Sequence, residues 1–201
     1  MDNYQILIER ARNLHGEICP GVVLGTKMSM AAMKELGMDP TKHNKDLIVY
    51  VEIDRCITDA IQAITGCTLG QRNLKYRDYG KFIATFVDMA TGRAIRVSAR
   101  DDKLDSCPGF WTWLENTIEQ NENNTSDQEK KDIEAAVEKL SKMSEKELLK
   151  IEEVKIEVPE NDIPGFPQYI TICSICGEHV IDQKEFVIGG EIICESCASK
   201  L

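Results

Sequence analysis

The chain lacks any apolar run near the roughly 18 to 20 residues that a membrane span needs. Residues 1–14 carry no apolar stretch of the secretory kind, so a cytoplasmic protein with reduced thiols is expected. There is no Gly-rich phosphate loop, no dinucleotide-binding fingerprint and no GxSxG elbow. The usual motifs therefore name no substrate. Basic charge is also short. Against 34 Asp and Glu stand 24 Lys and Arg, a formal net charge of −10, which disfavours unaided binding to a phosphate backbone.

What is present divides the 201 residues in three. Residues 1–118 hold 15 basic and 15 acidic side chains, residues 119–162 hold 7 and 14, and residues 163–201 hold 2 and 5. The acidity is concentrated in the middle stretch. The expected organisation is a core domain over 1–118, a charged helical connector over 119–162 and a small module over 163–201.

Within the first part, the spacing of Tyr4, Leu7, Ile8 and Ala11 predicts a helix over 2–14. A second helix opens at Pro20, where the missing N–H costs nothing, and leaves at Gly37. Its Gly25, Ser29, Ala32 and Leu36 share a face that suits close approach of a backbone, either within the chain or in a partner subunit. Residues 47–53 form a buried strand, and Asp54 is expected to cap a helix over 55–65 that Gly66 ends. Residues 80–89 and 93–99 read as a hairpin around Thr91 and Gly92, and a helix follows over 110–121. This order indicates an α+β domain with a mixed helix and antiparallel-sheet core. In the middle stretch, Ser126 to Glu129 and Ser144 to Glu147 have capping-box spacing, predicting two short helices. The first has a narrow apolar stripe of Ile133, Val137, Leu140 and Met143 that should dock on something. Alternation at Val154, Ile156 and Val158 predicts a short strand, and Pro159, Pro164 and Pro167 a linker.

The eight cysteines fall in two sets of four. Cys173-Ser-Ile-Cys176 and Cys194-Glu-Ser-Cys197 are separated by 17 residues that suit a hairpin turning at Gly189 and Gly190. Two such knuckles supply the closed four-sulfur shell of structural zinc, with iron in a rubredoxin-like site as the alternative. So small a module needs the metal to fold. A closed shell leaves no open position, which favours docking or structure over catalysis, in zinc-ribbon or treble-clef form. His179 is redundant beside four thiolates. Lys184 and Lys200 are the module's only cations, which weakens a zinc-ribbon regulator reading.

The other set lies in three motifs: His15-Gly-Glu-Ile-Cys19-Pro-Gly, Cys56-Ile-Thr-Asp59-Ala-Ile-Gln62 and Gly66-Cys67-Thr-Leu-Gly70. Cys19 falls at the cap of the Pro20 helix and Cys56 in the first turn of the next, where unpaired N–H groups favour thiolate. Asp59 lies one turn beyond Cys56, and His15 could bring an imidazole to the same place. A shared metal or redox site and simple burial both remain open readings, and burial would raise the thiol pKa values instead. Cys107 has no evident partner and reads as structural.

At these motifs the sequence resembles the FmdE-like family, named for formylmethanofuran dehydrogenase, over about residues 10–100 and 165–201. Glu17 is a departure within the opening motif. The resemblance implies an α+β core that dimerises and an association with a molybdenum or tungsten enzyme. It carries over His15, Cys19, Cys56 and Cys67 as site positions, with Asp59 beside them, and admits a second metal ion in the core domain. The expected function is a metal- and thiol-containing accessory protein that docks through its zinc module. An independent enzyme acting through the His15, Cys19 and Cys56 region is the alternative.

Overall fold

The computed structural model describes residues 3–118, 126–167 and 169–201, in two compact units, residues 1–156 and 157–201. The first unit is built from α1 (Asn3–His15), α2 (Pro20–Glu35), β1 (Leu47–Val51), α3 (Cys56–Thr65), β2 (Leu74–Tyr76), β3 (Ile83–Asp88), β4 (Ala94–Ala99), α4 (Asp101–Asp105), α5 (Pro108–Ile118), α6 (Asp127–Lys142), α7 (Glu145–Leu148) and β5 (Leu149–Val154). Its sheet runs β2-β1-β3-β4-β5, parallel between β1 and β2 and antiparallel elsewhere. The unit is α+β, as expected.

α2 is the axis of this unit. Thirteen of its 16 residues are buried, because α1, α3, α6 and strands of the sheet all pack on it. Its small residues are what allow this. A Cβ at Gly25 would lie 2.4 Å from the Ile57 carbonyl oxygen, and one at Gly21 would lie 3.0 Å from the Cys56 Cβ and 2.9 Å from the Trp113 ring. The small-residue face is therefore filled by α3 of the same chain and is not available to a second copy. Phe110, fully buried, meets Phe82, Trp111 and Trp113 in edge-on or tilted contacts with centroids 5.2 to 5.5 Å apart, which fixes α5 beside α2.

Residues 119–162 do not form a separate connector. Ser126 closes a complete capping box with Glu129, but the helix it starts docks on α5 so closely that a Cβ at Gly109 would clash with the Asp132 carbonyl. Leu140 and Ala136 enter the core, Lys27 Nζ donates to the Met143 carbonyl at 2.5 Å, and Tyr4 donates to Ser141 at 2.9 Å. The strand expected at 154–158 is β5, ending at Val154. It pairs with β4 from Ala99–Leu149 to Ala94–Val154, so the first unit runs on to Ile156. Net charge marks the exposed face of this stretch and hides the buried one.

Smaller differences are local. Arg55, not Asp54, is the cap of α3, because the Thr58 amide bonds the Arg55 carbonyl and the Thr58 hydroxyl takes the Ile53 carbonyl. The helix expected at 110–121 starts at Pro108, and residues 119–121 lie outside the described residues. β2 and α4 are too short for a periodic signal. Among the described residues, no helix is long and apolar enough to cross a membrane.

The second unit holds a 3₁₀ turn (Glu160–Asp162), two hairpins, β6 (Ile170–Ile172) with β7 (His179–Ile181) and β8 (Glu185–Ile188) with β9 (Glu191–Cys194), and a closing turn of helix, α8 (Glu195–Ala198). Its buried centre is only Cys173, Ile193 and Cys197.

Candidate metal centres

In the second unit the sulfurs of Cys173, Cys176, Cys194 and Cys197 lie within 4.8 Å of one another, and the Cys176–Cys194 pair is 3.9 Å apart. A tetrahedral ion with bonds of about 2.3 Å to sulfur sets neighbouring sulfurs about 3.8 Å apart, so the spacing fits. Backbone N–H groups serve the sulfurs. Those of Cys176, Cys194 and Ile175 pull the Cys173 thiol down to about 6, and the Cys194 amide reaches the Cys173 sulfur at 3.3 Å. The group could hold a metal ion, and all four positions of its shell are protein. His179 is exposed and outside the group.

The second group lies where three helix ends meet in the first unit. His15 is the last residue of α1, Cys19 caps α2 and Cys56 opens α3. One ligand atom from each lies within 4.8 Å of the others. His15 Nε2 is 3.8 Å from the Cys19 sulfur. Tetrahedral bonds of about 2.0 Å to nitrogen and 2.3 Å to sulfur would put these atoms about 3.6 Å apart, so these residues also fit an ion. Gly21 makes the approach of Cys56 possible, as only hydrogen fits between its Cα and the Cys56 Cβ.

Asp59 joins through the imidazole. Its Oδ2 is 2.8 Å from His15 Nδ1, which directs Nε2 at the sulfurs and makes the ring a better donor. Burial pulls the His15 pKa down, but the hydrogen bond to Asp59 and the charges of Cys56, Asp59 and Glu17 outweigh it and leave it raised.

The two thiols behave oppositely, where helix ends alone predict thiolate at both. The Cys19 S–H donated to Cys56, against the effect of burial and with help from His15, brings Cys56 down to about 7. That same bond, then burial, pushes Cys19 far up, and the N–H groups of Val22 and Gly21 offset this only in part, neither making a regular hydrogen bond to the sulfur. Without an ion the pair shares one proton, held on Cys19.

Cys67 is elsewhere. It is fully buried past the other end of α3, its S–H faces the Leu47 carbonyl at 3.4 Å, and burial raises it to about 11. The expectation that it joins the site gives way to a core position. Cys107 is likewise buried in the core.

Two cavities flank the group. One, of about 480 Å³, is lined by His15, Cys56 and Asp59 together with Val51, Leu74 and Tyr76. The other, of about 540 Å³, lies on the Cys19 side against Trp113 and α6. Sequence reasoning misses these walls. The one cue is Leu69, an apolar residue in a Gly- and Thr-rich loop, and Cys67 beside it draws the eye instead.

Fold and site together define an α+β protein with one closed and one incomplete cysteine-rich ligand group. The chain matches the family described as "FmdE, Molybdenum formylmethanofuran dehydrogenase operon" over residues 14–150, and it belongs to that family. A crystal structure of an FmdE-like protein of tungsten formylmethanofuran dehydrogenase, from Syntrophus aciditrophicus, is similar over 98% of this chain and 92% of that one, with a TM-score of 0.57 and 25% identity. A probable S-adenosyl-L-methionine-binding protein of Archaeoglobus fulgidus is 42% identical over 94 residues, which is 45% of this chain. The match spans only 26% of that relative.

Proposed function

We propose that this protein is a metal- and thiol-dependent accessory protein of a molybdenum or tungsten enzyme system. In this reading the second unit holds structural zinc and docks the partner, and the first unit carries the working site. The observation that carries the reading is the His15, Cys19 and Cys56 group beside a cavity. Three protein donors leave the fourth tetrahedral position to a guest, the arrangement of working rather than structural zinc sites. The family description and the name of the tungsten-enzyme relative support the association.

Each residue has a role. Cys19 and Cys56 bind as thiolates, His15 binds through Nε2, and Asp59 holds the ring in place from Nδ1. A bound ion would supply Lewis acidity and a seat for an anionic guest. The protons on Cys19 and His15 must leave for it to bind, which ties occupancy to pH. The cavity also keeps alive the alternative of an enzyme acting alone.

Elemental analysis of the full chain tests this. Wild type should hold about two equivalents of metal, Cys56→Ala about one, and Cys173→Ala should lose the other. Wild type with one equivalent that Cys56→Ala retains would sink the reading. Co-purification with an identified molybdenum or tungsten enzyme would then test the association, and sedimentation the expected homodimer.

A further inference from the structure

We propose that the cavity beside His15 and Cys56 binds a small molecule with an apolar, alkyl-like body and a thiol head. The inference rests on the metal reading of this site and names its guest.

Val51 ends β1, Leu74 and Tyr76 bracket β2, and together they wall the cavity, with Leu69 at its rim. Val51 and Leu74 are almost fully buried as fixed wall, but Leu69 is 67% exposed and Tyr76 37%. Two exposed apolar side chains at the mouth of an apolar cavity gain when a guest covers them. At about 480 Å³ the space lies within the ordinary range for small-molecule sites. The closed end carries the chemistry, since His15 and Cys56 stand in the same lining.

The head follows from what is left to bond. The Thr58 hydroxyl is spent on the Ile53 carbonyl, and Asp59 Oδ2 on His15. A hydroxyl or carboxylate pushed past Val51 and Leu74 would give up its water for few replacements. A thiol is weakly hydrated and gives up least. Its thiolate also matches the two sulfurs that would already hold the ion. The guest body then lies along Val51, Leu74 and Leu69.

Two measurements on the full chain test this. In the first, Cys56 is labelled with methyl, butyl and hexyl methanethiosulfonate. The Cys56 thiolate attacks the alkyl-bearing sulfur, the new S–S bond forms and methanesulfinate leaves with the electron pair of the broken bond. The rate at Cys56 should rise at least tenfold from methyl to hexyl beyond the rise for free glutathione, well within the roughly fourfold per methylene of full burial. Leu69→Asp, on an exposed loop position, should abolish the rise. A flat ladder in wild type overturns the cavity assignment, with or without metal.

In the second, cobalt(II) is loaded and its absorption is followed while hexanethiol or hexanol is added. Saturable growth of the sulfur-to-cobalt band with hexanethiol, and at least tenfold weaker binding of hexanol, is expected. Equal binding of the two overturns the thiol head. If only one equivalent of cobalt binds and Cys56→Ala retains it, the metal reading fails and the thiol head with it, and the ladder alone decides the cavity.

Discussion

The two cysteine groups of this chain use the same atoms to different ends. In the second unit, two knuckles close in sequence bring four sulfurs together, and almost nothing else is buried there. In the first unit, two sulfurs and an imidazole come from three helix ends, set in a core of Val22, Ile57, Phe110 and many others. One group makes its unit, whereas the other is made by its unit. Where the fold needs no ion to form, the ligand set can stop at three and leave room for chemistry. Where the ion replaces a core, the set must close.

Removing metal should separate the two most sharply. Chelation of the full chain should unfold residues 157–201, seen as loss of dispersed amide signals and rapid proteolysis there, with residues 3–118 still protected. Persistence of both hairpins after chelation would show that Ile193 and its few neighbours suffice. Changing the scaffold should do the reverse. Gly25→Ala puts a methyl 2.4 Å from the Ile57 carbonyl on a buried helix crossing, so a loss of about 2 to 3 kcal/mol is expected in denaturant unfolding of the first unit. The second unit should hold its metal unchanged. A loss below about 0.5 kcal/mol would mean that α3 can slide away from α2, and that the site is less rigidly held than its geometry implies.

The same contrast decides what can be read from the sequence. The four-cysteine group is legible because local spacing alone sets its geometry. His15, Cys19, Cys56 and Asp59 are legible as motifs, since Pro20 and Gly66 mark helix ends, but their meeting depends on Gly21 and Gly25 letting α3 against α2. Periodicity shows that small-residue face without saying what fills it. Cys67 is misplaced because a cysteine next to a helix end looks the same whichever end the site occupies. The connector is misjudged for a related reason. Its charge lies on the outer face of α6, and the few residues that dock, Ala136 and Leu140 among them, make a faint signal in composition.

Within the first site, Asp59 offers a gentler cut. Asp59→Asn keeps the size of the side chain and removes the charge that orients and enriches the His15 ring. Metal affinity at this site should fall about 10- to 100-fold, and the four-cysteine site should not respond. Titration with a competing chelator reads both in one sample. Equal weakening of the two would show that the change acts on the whole chain and not through the imidazole.

The smallest effect expected is a shift in a titration. In chelator-treated protein, Cys56 should react with iodoacetamide along a curve with its midpoint near pH 7, because its depressed pKa makes the thiolate the majority form above that value. Below it the proton returns and the rate falls. The main cause is the S–H that Cys19 donates, so Cys19→Ala should move the midpoint upward. His15→Ala removes a weaker, purely electrostatic contribution and should move it less in the same direction. Asp59 acts the other way, its negative charge raising the Cys56 pKa, so Asp59→Asn should by that direct effect move the midpoint slightly down. Cys173, held down to about 6 by backbone N–H groups that exist only while its unit is folded, should revert toward an ordinary thiol in the same sample. A single common midpoint for all reactive cysteines would erase the distinction between the two groups. Separate midpoints, with Cys56 the lower of the two after chelation, would confirm that the first site is held by protein and the second by its ion.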